Sequence, residues 1–582
     1  MQILIRVNMT TLTVTRENPP DEYECLGGRG LTSKIINKEV PPNSSPFDSE
    51  AKIVLAPGLL TGTSAPCSGR LSIGAKSPLT NGIKESNVGG VVGQVMARAG
   101  IKALIIEGKP AEKKLYVLEV GNTDIRFKSA EALTKKTNYQ VGEFLTSAYG
   151  NKTPYVCVGP GAENLFPVAT VAVADMEGRP TRHAGRGGMG AVLASKGIKA
   201  IVFTGKKGSL DLPKDPKAYK EVAKEFAVDL FNTKQALTKF GTAVLVNVIN
   251  ENGALPVNNF RYGSFDDVAH ISAETLANNC KARGGKTGHG CHAGCVIKCS
   301  NIYHDAEGNY LTSALEYETI ALLGSNCGLS DLDQIAELDF LCDTYGLDTM
   351  ETGATMAVAM EGGLLEFSDF QGMKRLINEM AQGTITGKLL GQGALVVGRT
   401  LGVDRIPTVK GQSMSAYDPR ALKGTGTTYA TSPMGGDHTA GNCLPGRTGL
   451  DDRKPEGQVK AALEAQILTV LCDNLGLCIF VGPVIPSLDF FTRLFNAYTG
   501  KNITQGEIMA LGKSILKEEV LFNDIHFNLN KGDKVALISK NSRAVTAFYE
   551  ILNGHSKADS GKFHWGVTTN QSYLPLDNLE FF

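Results

Sequence analysis

A seven-residue signature, Leu-Cys-Asp-x-x-Gly-Leu, occurs twice in this chain, at residues 341–347 and 471–477. Each copy closes a run of helical periodicity, 332–344 and 461–473, with Gly346 or Gly476 placed where a helix would stop. Glycine after a helix is ordinary capping. Repetition of the whole Leu-Cys-Asp context, about 130 residues apart, is not. Two such copies suggest two similar polar helix ends gripping a ligand from two sides, with plain helix capping as the alternative. An aspartate at such a turn can accept two hydrogen bonds from a ring amine and amide, the pattern a pterin offers. The residue after each copy differs: Asp348 follows the first and Cys478 the second.

That cysteine gains meaning from Cys291, Cys295 and Cys299, a Cys-x3-Cys-x3-Cys run without a fourth thiolate. Three such thiols and a distant fourth can converge on an iron–sulfur cube. Zinc is the rival ligand, although four-cysteine zinc sites usually use Cys-x2-Cys pairs. Incidental buried thiols are the third reading. His292 lies inside the run and could replace a ligand, with a bystander beside the ligands as the plainer expectation.

The rest of the chain narrows the class. Lys plus Arg and Asp plus Glu both number 59, so no broad charge argues for nucleic acid or an anionic membrane. Residues 1–13 are too polar after Arg6 for a signal peptide. The most apolar stretch, 467–485, contains Asp473, Asn474, Gly476 and Gly482 and is not read as membrane-spanning. Twelve cysteines in 582 residues are no disulfide framework, and a reducing cytoplasm suits thiolate ligands.

Short β-rich runs with glycine turns fill residues 1–208, as at 53–56, 103–107, 115–118 and 200–203. This predicts an N-terminal β domain. Helical periodicity follows over 216–232, 331–345, 349–359, 369–380, 457–471 and 505–516. The fold class is therefore α+β. Two mainly helical domains are expected, 209–410 with the cysteine run and first turn, and 411–518 with the second. A Gly/Ser/Thr-rich stretch, 411–449, is expected to form loops over a site.

Two glycine-rich runs could cradle anions: Asn87-Val-Gly-Gly, and Arg182-His-Ala-Gly-Arg-Gly-Gly-Met-Gly-Ala, which opens a short helix at 191–195. Plain tight-turn use is the alternative. Glu316 and Glu318, and Asp437 and His438, are acid–base candidates, although a Glu-x-Glu pair is more often surface than site.

These pieces, in this order, resemble the tungsten-containing aldehyde:ferredoxin oxidoreductase family over residues 3–517. The likeness rests on Leu26-Gly-Gly-Arg-Gly-Leu, Ala56-Pro-Gly-Leu-Leu-Thr-Gly-Thr, Ser68-Gly-Arg-Leu-Ser, Lys76-Ser-Pro-Leu-Thr, Glu85-Ser-Asn-Val-Gly-Gly, Ala184-Gly-Arg-Gly-Gly-Met-Gly-Ala and both Asp-x-x-Gly-Leu turns. The resemblance implies an N-terminal saddle of two sheets under the cofactor, closed over by two helical domains. It implies tungsten (or molybdenum) held by the dithiolenes of two pterins, with Mg2+ bridging the pterin phosphates. Asp343, Gly346, Leu347 and Asp348 would serve one pterin; Asp473, Gly476 and Leu477 the other. Arg70, Asn87, Gly89, Arg182, His183 and Gly185 resemble positions around the pterins and their phosphates. Cys291, Cys295, Cys299 and Cys478 would hold a [4Fe-4S] cluster, with one departure: the better-known spacing is Cys-x2-Cys-x3-Cys. Glu318 resembles the family's proposed base and His438 the group that holds the carbonyl oxygen. The implied reaction oxidises an aldehyde with water to a carboxylic acid, and electrons pass through the cluster to ferredoxin or another iron–sulfur carrier. A homodimer is one assembly the resemblance allows. Cys67 stands where the family often has serine and receives no role.

Residues 519–582 instead resemble part of an ATP-binding-cassette F protein. Where its phosphate loop should lie, Ser539, Ala544, Val545 and Thr546 replace the glycines and lysine, so no ATPase activity is expected. A junction near 517–520 reads as a fusion that truncates the third domain. Two other readings stand beside the leading one: the same cofactor with a different substrate or reductive reaction, and an inactive fusion or interaction protein.

Overall fold

The computed structural model describes residues 2–520, apart from 113, 206–209 and 483. The expectations for the cassette-like tail beyond 520 lie outside the described residues.

The N-terminal part runs β1 (Ile3–Asn8), β2 (Thr13–Glu17), α1 (Gly28–Glu39), β3 (Ile53–Pro57), β4 (Leu71–Lys76), β5 (Ile83–Val88), α2 (Val92–Arg98) and β6 (Ile101–Glu107). It continues β7 (Tyr116–Val120), β8 (Ile125–Ser129), α3 (Asn138–Tyr149), β9 (Tyr155–Cys157), β10 (Val171–Val173), β11 (Arg182–Ala184), α4 (Met189–Ser195) and β12 (Ile198–Phe203). The strands form two sheets, ordered β2-β1-β6-β3-β4-β5 and β8-β7-β12-β9-β10-β11. The second order is the first with every strand number advanced by six. Pairing sense repeats too: β1 is parallel to β6 and β7 to β12, while all other neighbours are antiparallel. A trace survives in sequence, Gly100-Ile-Lys-Ala-Leu-Ile-Ile against Gly197-Ile-Lys-Ala-Ile-Val-Phe.

Central strands β3 and β12 are buried at every position, which explains the unbroken apolar run of β3; the one charge in β12, Lys199, is buried against Glu163. Ile5, Leu104 and Ile106 of the first sheet share one core with Val156, Val158 and Ile201 of the second. Helix α1 covers the other face of the first sheet through Leu31, Ile35 and Ile36, and α3 covers the second through Val141 and Leu145. A capping box, Thr137 with Gln140, starts α3.

The remainder is mainly helical. It includes α5 (Pro216–Thr233), α6 (Leu332–Tyr345), α7 (Thr349–Glu361), α8 (Gln458–Leu475), α9 (Leu488–Thr499) and α10 (Gln505–Val520). A three-stranded sheet, β13 (Lys286–His289), β14 (Ser300–His304) and β15 (Tyr310–Ser313), flanks the cysteine segment. The fold is α+β, with a β saddle followed by helices, as expected. Helix α7 is buried from Met350 to Met360, so it has no polar face and runs through the largest core. No helix among the described residues is long and apolar enough to cross a membrane.

Both signature glycines end their helices in the left-handed conformation, Gly346 at φ 71° and Gly476 at φ 77°. Each then packs on a glycine of the saddle. A Cβ on Gly58 would lie 2.1 Å from Gly476 Cα, and one on Gly159 would lie 2.4 Å from the Tyr345 carbonyl oxygen. Backbone bonds repeat the match: Arg70 N donates to Gly476 O at 3.3 Å, and Thr170 N to Gly346 O at 2.9 Å. Arg70 and Thr170 immediately precede β4 and β10, the paired positions of the duplication. Thus the first sheet carries the second arm, and the second sheet the first arm.

Candidate active site

A cavity of about 480 Å³ lies between the saddle and the helices. Among its walls are Arg70, Asn87, Gly89, Arg182, His183, Gly185, Cys291, Cys299, Glu318, Asp343, Leu347, Asp348 and His438. These expected residues come together from segments far apart in sequence. Gly346, Asp473, Gly476, Leu477, Cys295 and Cys478 do not line it. The saddle contributes through its edges: β5 and β11 end their respective sheets and pack on each other, delivering Asn87 and His183 from matched strands.

Arg70 and Arg182 are held inside. Arg70 Nη2 donates to Cys478 Sγ at 3.0 Å, and Arg182 Nη1 to Ser300 Oγ at 2.8 Å. The Nε of each is buried with no partner among the described residues. Two guanidiniums with unused donors suit an anionic ligand. A Cβ on Gly185 would meet nothing within 4 Å, so this backbone faces open space.

On the first arm, His183 Nε2 donates to Pro180 O at 3.0 Å and lies 3.1 Å from Asp343 Oδ1. Asp339, one turn earlier on α6, also reaches the cavity. Burial, reinforced by the charge of Asp343, keeps its carboxyl well above the usual range, and Thr312 donates to it at 2.6 Å. Asp348 caps α7 by accepting from Met350 N at 2.9 Å. Burial raises its pKa to about 6 against the pull of Arg186, whose Nε is 3.3 Å away. On the second arm, Asp473 turns instead toward Arg29, 3.3 Å away. Arg29 is fully buried and also donates to both carboxylate oxygens of Glu519, at 2.7 and 2.9 Å. Burial and the charge of Glu85 push Asp473 upward.

The ligand atoms of Cys291, His292 and Cys295 lie within 4.8 Å of one another. Cys299 and Cys478 are buried in one core against which Cys295 packs. Cys67, left without a role in the sequence, lies beside them: its carbonyl accepts from Cys478 N at 2.9 Å. Its φ is 56°, a left-handed backbone that few side chains favour.

Glu318 sits on the one-turn helix Tyr317–Thr319, which runs into a π-helical turn, Ile320–Gly324, a local form common at functional sites. Its Oε2 accepts from Ala416 N at 2.9 Å, while Oε1 is buried without a hydrogen bond. His438 Nδ1 lies 3.4 Å from that Oε1 and 3.0 Å from Ser415 Oγ. Asp437 beside it is neutralised by Lys84 at 2.9 Å; despite burial, the Lys84 and Arg186 charges hold its carboxyl well below the usual range.

Sequence reading missed Asp339, Arg186 and Arg29. Asp339 was accessible to it, since it stands four residues before Asp343 on one helix face. Arg186 sits inside a glycine run that was read only for its backbone. Arg29 gave no signal, because both its carboxylate partners lie more than 400 residues away, with separations of 444 and 490.

Residues 4–205 match the family model for the aldehyde ferredoxin oxidoreductase N-terminal domain, and 217–536 that for its domains 2 and 3. The chain is 34% identical over 548 residues to the tungsten-containing aldehyde ferredoxin oxidoreductase of Pyrococcus furiosus, covering 89% of this chain and 88% of that one. In fold it is similar to the active-site complex BamBC of benzoyl coenzyme A reductase, with a TM-score of 0.74, 19% identity, and coverage of 89% of this chain and 87% of the other. A stretch of 75 residues is 45% identical to the uncharacterised ABC transporter ATP-binding protein YkpA of Bacillus subtilis, 13% of this chain and 14% of that protein.

Proposed function

The chain belongs to the aldehyde ferredoxin oxidoreductase family and is an oxidoreductase, and from that premise we propose that it oxidises an aldehyde with water to the carboxylic acid. A [4Fe-4S] cluster would supply one-electron transfer toward ferredoxin. The observation that carries the reading is the Glu318–His438 pair on the cavity wall, with His438 Nδ1 3.4 Å from a Glu318 Oε1 that makes no hydrogen bond.

The residues present fit a bis-pterin cofactor. Buried guanidinium donors of Arg70 and Arg182 lack partners, the backbone at Gly185 faces open space, and Asp343 opens into the cavity. Arg70 and Arg182 would take the phosphates, with Mg2+ between them, and Asp343 with Leu347 and Asp348 one pterin. Asp473, Gly476 and Leu477 would back the other from behind the saddle. Cys291, Cys295, Cys299 and Cys478 would hold the cluster. When bound, tungsten (or molybdenum) supplies the two-electron acceptor for the oxidation.

Glu318 then has one free carboxylate oxygen, aimed where it can accept a proton from water or substrate. The Ala416 N–H fixes its other oxygen, so the acceptor lone pairs point one way. His438 is held by Ser415 at Nδ1 and can hydrogen-bond the carbonyl oxygen through Nε2. Leu245, Leu444, Ile479 and Phe480 give the same cavity an apolar wall, which limits water around the reacting carbonyl. The test is anaerobic purification after growth with tungstate, followed by aldehyde-dependent reduction of ferredoxin or benzyl viologen. A chain with about one tungsten and four irons that reduces neither with any aldehyde would overturn the proposal.

A further inference from the structure

The groups behind His438 decide which of its ring nitrogens carries the proton. Ser415 is fully buried, and its Oγ lies 3.0 Å from His438 Nδ1. Two N–H groups already donate to that Oγ, the backbone N of His438 at 3.0 Å and Arg186 Nη1 at 3.2 Å. A hydroxyl oxygen has two lone pairs and one hydrogen, so both acceptor sites are filled and only the hydrogen is left to place. Besides Nδ1, the acceptor within its reach among the described residues is the carbonyl oxygen of Gly436, at 3.2 Å. That oxygen already accepts from Ser415 N and from Arg186 Nη1, each at 3.0 Å, which fills its two lone pairs. The hydroxyl hydrogen therefore points at His438 Nδ1, the shorter contact, and Nδ1 is a bare acceptor.

The two carboxylates beside the ring agree. Asp437 Oδ1, 3.7 Å from Nδ1, accepts from Thr439 N at 2.9 Å and Thr439 Oγ1 at 2.8 Å, and its Oδ2 takes Lys84 at 2.9 Å and Gln412 Nε2 at 3.2 Å. Glu318 Oε1 approaches Nδ1 to 3.4 Å yet makes no hydrogen bond, as expected of two groups that both only accept. We propose that Ser415, locked by Arg186, is a positioning residue that holds His438 neutral with its proton on Nε2. This rests on the aldehyde-oxidation reading given above. It gives the pair separate tasks. Nε2–H is left to donate to the carbonyl oxygen, and Glu318 stays available as a base instead of pairing with an imidazolium. Arg186 also holds Asp348, 3.3 Å away, so one guanidinium joins the first arm's turn to the histidine.

The test is neutron diffraction from the metal-loaded full chain exchanged into D2O, with pH profiles of kcat/KM for two variants. The expected map shows deuterium on His438 Nε2, none on Nδ1, and the Ser415 deuteron directed at Nδ1. The charged groups around the ring are Glu318 and Asp437, with Lys84 and Arg186 behind them; the Tyr417 ring, 5.8 Å away, is kept neutral by burial. Ser415→Ala removes the donor from Nδ1, and the two carboxylates then favour its protonation. The acid limb should move up by about one pH unit, with tungsten and iron per chain unchanged. Ser415→Thr keeps the hydroxyl and should restore the profile. Deuterium on Nδ1 overturns the assignment alone, as does an unmoved acid limb in metal-loaded Ser415→Ala. A metal-loaded unsubstituted chain that oxidises no aldehyde overturns the function, and the neutron map still decides the tautomer.

Discussion

The helix end at Gly346 and the helix end at Gly476 close with the same long hydrogen bond, Leu347 N to Cys342 O at 2.9 Å and Leu477 N to Cys472 O at 3.0 Å. Both rest on the residue that opens the fourth strand of their half of the saddle. Beyond the glycine they part. The first arm continues into Asp348 and Thr349, whose hydroxyl lies 2.9 Å from Thr319, next to Glu318. The second continues into Cys478, under the guanidinium of Arg70. A duplicated scaffold can therefore grip two similar halves of a ligand while the residue just past each turn assigns the two sides different duties. One side borders the proposed substrate chemistry, the other the proposed route of the electrons.

The sharpest separation of the two sides is Glu318→Gln. It should lower aldehyde-dependent viologen reduction by about 10²–10⁴-fold while leaving tungsten and iron per chain unchanged. Loss of iron in this variant would break the division. Next in size is the pair of matched substitutions behind the arms. Arg29→Met strands Asp473, Glu85 and Glu519 in the interior and should cost about 3–5 kcal/mol of stability. Asn138→Ala, at the start of α3, removes a 2.8 Å bond to Asp343 O and the weaker bond its Oδ1 accepts from Cys157 Sγ and should cost about 1 kcal/mol. Equal losses in thermal melts would mean that the arms are supported alike.

Gly58→Ala and Gly159→Ala test the likeness instead of the difference. Each forces a methyl into backbone of its arm, and each should destabilise by about 1–3 kcal/mol. A neutral result at one position would remove the equivalence. The remaining effect is a pH slope on the first arm. The Asp348 pKa is raised from 3.8 to about 6 by burial, so the folded chain binds this proton more tightly than the unfolded one. Its contribution is present below pH ~4 and is lost as pH rises to ~6, at about 1 kcal/mol per unit. Urea titrations of the cofactor-free chain should show this fall, and Asp348→Asn should flatten it.

Local chemistry was legible in the sequence. The two Asp-x-x-Gly-Leu turns, the helices that end in them and the apolar central strands follow from residue periodicity and glycine conformation, and all formed where expected. The duplication of the saddle was present as Gly-Ile-Lys-Ala at 100 and 197, but a four-residue identity is too short to separate from chance without the strand order. The site itself was legible only in part. Glu318 and His438 meet because the 411–449 segment packs against α7; expected as loops, it also carries the helix Lys423–Thr431, and no periodicity encodes the path of the rest. The turn of Asp473 toward Arg29 depends on a carboxylate in the last described helix, 490 residues from Arg29.

The division of duties between the arms, with Cys478 just past the second turn holding the cluster, is tested most directly by metal analysis of Cys478→Ser beside the unsubstituted chain. The unsubstituted chain should carry about one tungsten and four irons. The variant should keep its tungsten and lose most of its iron, and its first arm should be untouched. Iron retained in full in Cys478→Ser would contradict the account.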